Sequence, residues 1–286
     1  MDFPFNLNDP KKSYSLPNQY KEISGISPLE SNNSLAFVQD EAVQIHIFDL
    51  LSGTVTELTK HDDGDSEDVV IARNTAYLLK AGKHPAIYKV TDFTCNNAHY
   101  EHYRLDLDKD QDPEGLCHDV ERNRLLIACK GSSKKNDRTR SIYAFDIQSM
   151  QMDHSPVFAI NSQDFLDDSE DTFNPSGIAI HPQSNDLYII GSKGEKMIVC
   201  YALDRNFKGS WRLDKSQFIQ PEGIALMQSG NLVISSEGKK AKKLKYRSSL
   251  VATTSTDHHQ SPSSVLEQKT SSRTEQKSTP GHQKPK

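Results

Sequence analysis

Apolar residues in this chain come in short runs separated by clusters of Gly, Asn, Asp and Pro. Gly177-Ile-Ala-Ile-His181 is followed by Pro182-Gln-Ser-Asn-Asp186 and then Leu187-Tyr-Ile-Ile190. The same order recurs in Ile224-Ala-Leu-Met227, Gln228-Ser-Gly-Asn231, Leu232-Val-Ile-Ser-Ser236, and again in Gly115–Asp119, Val120–Asn123, Arg124–Ala128. Short β-branched and aromatic runs broken by turn residues predict hairpins. A third strand follows in each unit, at Ile45–Phe48, Ala86–Val90, Ser141–Phe145 and Met197–Tyr201, and a fourth such as Ser155–Ile160 closes it. No window carries a helical apolar stripe of three turns.

A phrase opens each unit. It reads Glu22-Ile-Ser-Gly-Ile26, Asp65-Ser-Glu-Asp-Val69, Asp112-Pro-Glu-Gly-Leu116, Asn174-Pro-Ser-Gly-Ile178 and Gln220-Pro-Glu-Gly-Ile224, with intervals of 43, 47, 62 and 46 residues between the third positions. A period in the forties with four antiparallel strands per unit predicts an all-β protein, a β-propeller. Five phrases predict five blades, with six as the lesser possibility. The last unit has three clear strands ending at Lys243-Leu-Lys-Tyr-Arg247, so Lys12–Leu16 is expected to supply its outer strand and close the ring.

Composition divides the chain. From Ser248 to Lys286 the apolar residues are Leu250, Val251, Ala252, Val265 and Leu266, amid Ser, Thr, Gln, Lys and His. Such a segment buries too little surface to offset ordering entropy. The expected organisation is a propeller over 1–247 and a disordered tail over 248–286. From Lys239 onward 11 Lys and Arg face 3 acids, whereas residues 1–238 carry 23 basic and 36 acidic groups. An acidic body repels phosphate, and the basic cluster Lys239–Arg247 falls where the last strand is expected, so no nucleic-acid partner is expected. Neither a signal-peptide core nor a transmembrane run of 18 apolar residues is present, so the chain as given is expected to be soluble. Cys95, Cys117, Cys129 and Cys200 lack paired zinc-ligand spacing and are expected to be inert thiols.

Meander geometry places the candidate site. The start of each innermost strand and the end of the second strand share a face, so Glu67, Glu114 and Glu222 are expected to converge at the channel mouth, with Ser24 and Ser176 completing the ring. Glu22, Asp65, Asp112 and Asn174 stand two residues earlier. The ends of the second strands add Asp40, Lys80, Lys130, Lys193 and Glu237 as candidate ligand contacts. Carboxylates brought together need a compensating charge. A hard cation such as Ca²⁺ held by Glu67, Glu114, Glu222, Asp65 and Asp112 would compensate them; so would ion pairs with the lysines. Glu114 and Glu222 are also candidates for acid–base chemistry, and each glutamate has a plain structural alternative, satisfying an amide between blades. His118 and His181 lie along first strands and are expected to be hydrogen-bonded core histidines.

The ordered series Glu22–Ser27, Val38-Gln-Asp-Glu41, Asp65–Asp68, Gly177–Pro182, Gln220–Ala225 and Ile234-Ser-Ser-Glu-Gly-Lys239 resembles the bacterial SdiA-regulated family over about residues 12–247. The resemblance implies a five-bladed propeller, often secreted or held at the cell envelope, with a site at the channel and no particular reaction. Asp68, where the other units have glycine, and Ser176, where three units have glutamate, depart from the pattern. The function expected is a divalent-cation and small-ligand site, for an anionic or sugar-like molecule. It is hydrolytic on an ester, lactone or phosphoester, or else it belongs to a non-catalytic envelope scaffold.

Overall fold

The computed structural model describes residues 3–7, 10–31, 33–134, 137–167 and 172–238, together with the strand Ser249–Thr253. These residues are almost wholly β, with two single-turn 3₁₀ segments, Asn18–Tyr20 and Ser162–Asp164, in a propeller-like arrangement of four-stranded antiparallel sheets. The first sheet runs Ile23–Pro28, Ser34–Gln39, Ala42–Asp49 and Val55–Glu57, and the second Ser66–Ala72, Thr75–Lys80, Ala86–Thr91 and His99–Arg104. In the third, Pro113–Asp119, Arg124–Cys129 and Thr139–Asp146 are joined on one edge by both Gln151–Met152 and Phe158–Asn161. The fourth is Phe173–Ile180, Asp186–Gly194, Met197–Ala202 and Phe207–Arg212.

A further sheet combines both ends of the described chain. Pro221–Leu226 pairs with Leu232–Ser236, which pairs with Ser249–Thr253, whose other edge takes Lys12–Ser15. The strand beside Leu232–Ser236 thus lies just past the composition break at Ser248. Residues 243–247, where sequence placed it, lie outside the described residues, as does the tail from 254.

The apolar faces of neighbouring sheets meet in layers. Val38, Val43 and Ile45 pack against Val69, Leu78 and Tyr88; Leu79 and Ile87 against Leu125, Ile127 and Phe145; Ile142 and Ile160 against Phe173 and Ile189. Ile190 and Ile198 meet Ile224 and Ile234, and Ala225, Met227 and Val233 meet Ile23, Phe37 and Phe48. The inner strands are buried on both faces, which is why their apolar runs are nearly continuous, whereas the outer strands His99–Arg104 and Phe207–Arg212 are largely exposed or half-buried. At Gly177, where two innermost strands adjoin, there is no room for a side chain: a Cβ would lie 2.7 Å from the Glu222 carbonyl oxygen. Cys117, Cys129 and Cys200 are buried and Cys95 is exposed, all as free thiols.

Candidate functional site

The repeated phrase is a β-bulge. Pairing of the innermost strand with the second strand slips between Ile23 and Ile26, Ser66 and Asp68, Pro113 and Gly115, Pro175 and Gly177, and Pro221 and Gly223. The residue skipped in the last four is Glu67, Glu114, Ser176 or Glu222. A bulge leaves one residue out of the ladder and re-aims its side chain. Proline at the first position of two of these strands, Pro113 and Pro221, loses no ladder bond.

The bulge carboxylates come together. Glu67 is hydrogen-bonded to Asp65 and Glu114; burial first, then the charges of Glu114 and Asp65, push its pKa far above the carboxylate range. Glu114 is buried and its Oε1 accepts from Lys130 Nζ at 2.6 Å. Burial raises the Glu114 pKa, opposed by Lys130 and reinforced by Glu222 and Asp112. Glu222 is raised by burial too, against the pull of Lys130 and of hydrogen bonds with Gln220 and Ser192. Burial lowers the proton affinity of Lys130, but Glu114, Glu222 and Glu67 together more than reverse this, so it stays an ammonium. Lys130 thus serves the buried Glu114 and Glu222 and the half-buried Glu67.

A second acidic group lies beside the first. Asp40 is pushed up to about 6 by burial and by Glu22, Asp65 and Glu41, with Lys21 pulling the other way. Glu237 touches Gln220 Nε2 and is raised by burial, by a hydrogen bond with Glu22, and by the charges of Glu222 and Asp40. Lys21 Nζ is 2.7 Å from Glu22 and 3.8 Å from Glu41.

Other expected members are placed differently. Lys80 turns to the loop before its own sheet's first strand, donating to the Asp63 carbonyl at 3.0 Å and standing 3.5 Å from Asp62 Oδ2. Lys193 is exposed, and its carbonyl accepts from Asn174 Nδ2. Ser176 Oγ donates to the Pro221 carbonyl at 2.8 Å, a bond between neighbouring sheets, and the Ser24 carbonyl accepts from Ser235 Oγ at 2.7 Å. Asp112 takes a left-handed backbone (φ 50°) that lets its carbonyl accept the Lys130 amide at 2.8 Å. Among the described residues no three His, Cys, Asp or Glu side chains are grouped so as to hold a metal ion. Since Glu114 already binds the Lys130 ammonium, the donor set as placed does not fit Ca²⁺.

Sequence reasoning missed Arg140. It is buried at the end of the long loop of the third sheet, and its guanidinium donates to the Lys130 carbonyl at 2.7 Å and to Asn174 Oδ1 at 2.7 and 3.1 Å. Arg140 thereby fixes the backbone that aims Lys130 at Glu114. An arginine flanked by polar residues in a long loop gives no periodic signal. The cue was the loop's excess length alone. His118 also departs from expectation, since its Nε2 is buried with no partner among the described residues, whereas His181 Nδ1 accepts the Gln183 and Ser184 amides in a turn.

The chain's likeness to solved structures lies in the fold. A luciferin-regenerating enzyme superposes with a TM-score of 0.54 at 10% identity, over 87% of this chain and 96% of that one. The PQQ-bound aldose sugar dehydrogenase from Streptomyces coelicolor gives 0.54 at 11%, over 86% and 97%. A chain of a nidogen/laminin complex gives 0.52 at 15%, over 77% and 74%. No curated protein matches the chain in sequence. No described helix is long and apolar enough to cross a membrane. The SdiA-regulated family model matches residues 11–240, which contain every bulge and every carboxylate described above, and the chain belongs to the SdiA-regulated family.

Proposed function

We propose that the sheets are the blades of a five-bladed propeller closed by Lys12–Ser15, and that the bulge carboxylates form a small-ligand site at one mouth of its channel. The apolar layer joining the sheet of residues 221–236 to that of residues 23–57 supports closure. The observation that carries the site is the meeting of two acids beside one ammonium: Lys130 Nζ, 2.6 Å from Glu114 Oε1, favours the Glu114 carboxylate against burial, while burial and the charges of Glu114 and Asp65 favour the neutral form of Glu67. Neighbouring titratable groups driven to opposite protonation states are the pairing that acid–base chemistry needs. Here Glu114 would take a proton from a water attacking an ester, lactone or phosphoester, Glu67 would give one to the leaving oxygen, and Lys130 would hold the charge that develops. Asp40, Glu222 and Glu237 would bind ligand hydroxyls, and an acidic mouth favours a neutral, sugar-like molecule over an anion.

The test is a panel of ester, lactone and phosphoester substrates against the full chain, with and without Ca²⁺. Turnover that disappears in Glu114→Gln establishes the hydrolytic reading. Saturable sugar binding without turnover, lost in Glu222→Ala, makes the site a non-catalytic receptor. Retention of either activity in both variants removes the mouth from the function. Calorimetric titration with Ca²⁺ settles whether a cation displaces Lys130 from Glu114. An address at the cell envelope belongs to the same proposal, and fractionation of expressing cells tests it.

A further inference from the structure

The far ends of the same innermost strands enclose a chamber that the carboxylate mouth does not use. Ile26, Val70, Leu116, Ile178 and Ile224, one from each innermost strand, line a cavity of about 440 Å³. That volume lies within the range of small-molecule sites, roughly 300–1,000 Å³. Arg73, His118 and Gln228 interrupt the apolar wall with nitrogen-bearing side chains. His118 sits in the third sheet's innermost strand, and Arg73 in the turn that follows the second sheet's.

His118 Nε2 is buried without a hydrogen-bond partner, and Arg73 has no described acid within ion-pair distance. Asp119, which follows His118 in the chain, is committed to Arg122 at 3.2 Å and Arg124 at 3.0 Å. Arg73 is close enough to His118 that, after burial, its charge helps keep the imidazole neutral, against Asp119. A neutral imidazole with an idle ring nitrogen beside an unpaired guanidinium is a pair that a carboxylate satisfies. The adjoining isoleucine and valine side chains suit an aliphatic body. Glu30 lines the exposed rim, where it opposes an anion's approach without reaching the deep wall.

We propose that this chamber is a second binding site, for a small amphiphile with an aliphatic body and a carboxylate head, which Arg73 holds beside His118 while the tail lies among the isoleucines. The site is independent of the carboxylate mouth, being built from the opposite ends of the strands. No bond is made or broken in it.

The experiment is calorimetric titration of the full chain with octanoate, and with octan-1-ol as the uncharged counterpart. Octanoate should bind once per chain, and Arg73→Gln should weaken it about tenfold or more, since it removes a charge-assisted bond. Glu30→Gln should tighten it. Ile178→Trp, which fills the chamber, should abolish binding of both probes, with circular dichroism reporting whether that variant is folded. Arg73→Gln, at a partly exposed turn residue, keeps the test decisive if Ile178→Trp fails to fold. No saturable heat with millimolar octanoate, octanol binding as tightly as octanoate, or undiminished binding in Arg73→Gln would each overturn the proposal.

Discussion

The Asp68 carboxyl reaches from the second sheet's innermost strand to the third's, where Oδ2 accepts the Leu116 amide at 2.7 Å while Oδ1 accepts the Val69 amide at 2.8 Å. The other units carry glycine at this position, and Gly25 provides the space: a Cβ there would fall 1.9 Å from Asp68 Oδ1 and 2.5 Å from Asp68 Cα. Gly25→Ala should therefore cost about 1–3 kcal/mol through overpacking. Asp68→Gly should not rescue it, because the backbone clash remains. Asp68→Ala should cost about 1–3 kcal/mol by leaving the buried Leu116 amide unsatisfied, and Asp68→Asn should cost less. Urea unfolding midpoints check all of these; a full rescue by Asp68→Gly would show that the side chain alone sets the packing.

Stability should rise as the solution is made mildly acidic. Asp40 is raised to about 6, and Glu67, Glu114, Glu222 and Glu237 are raised as well, chiefly by burial. A raised carboxyl binds more protons folded than unfolded in the interval between its two pKa values, so its stabilising contribution is complete below the unfolded value and is lost as pH rises through the folded one. Melting temperature should climb from about pH 8 down to about pH 5, then fall as exposed carboxylates with lowered pKa, such as Asp49 and Asp214, take up protons. Glu67→Gln should raise the melting temperature at the alkaline end and flatten the profile. A profile with its maximum at the alkaline end would mean the cluster is compensated by charge rather than by protons.

Much of this molecule was legible because its signals are periodic. The strands at 86–91, 139–146 and 197–202 follow from alternation and turn residues, and the phrase spacing fixed where each innermost strand starts. The phrase also located Glu67, Glu114 and Glu222 together, since a repeated backbone irregularity brings its side chains to equivalent places. Lys80 and Lys193 were misjudged because the end of a strand defines a backbone position but not which way a long, flexible side chain turns. Asp62 and the Asp63 carbonyl capture Lys80. Arg140 and the far-end chamber were invisible for a related reason. The first depends on a non-periodic loop, and the second is the space left between isoleucines that read in sequence as ordinary core.

Lys130 holds Glu114 against its neighbours, so the pair should behave as a unit. The Glu114 side chain is 5% exposed and that of Lys130 23%. Lys130→Met leaves a buried acid unpaired and should cost about 3 kcal/mol near pH 8. The loss should shrink near pH 5, where Glu114 can take a proton instead. The double variant Lys130→Met, Glu114→Gln should recover most of the stability, which a double-mutant cycle in urea measures. Additive losses at both pH values would show that Lys130 contributes packing and not charge.

Lys12–Ser15 belongs by pairing to the sheet that ends the described chain, yet its side chains grip the sheet that begins it: Tyr14 Oη donates to the Leu50 carbonyl, Lys12 Nζ donates to the same carbonyl at 2.8 Å, and the Tyr14 ring stands edge-on to Phe48 with centroids 5.0 Å apart. One short strand thus spans the seam between the first and last sheets. Removing it would leave the outer edge of Ser249–Thr253 unpaired, which invites association with another chain. Tyr14→Ala should cost about 2–3 kcal/mol from lost aromatic packing and the lost bond to Leu50, a melting-temperature fall of about 4–12 °C for a chain of this size. A variant lacking residues 1–17 should lose more and sediment as dimers or larger species. If it instead melts with the full chain and stays monomeric, the ring is held by the apolar layer of Ile23, Phe37 and Val233 alone, and the N-terminal strand is an accessory to closure.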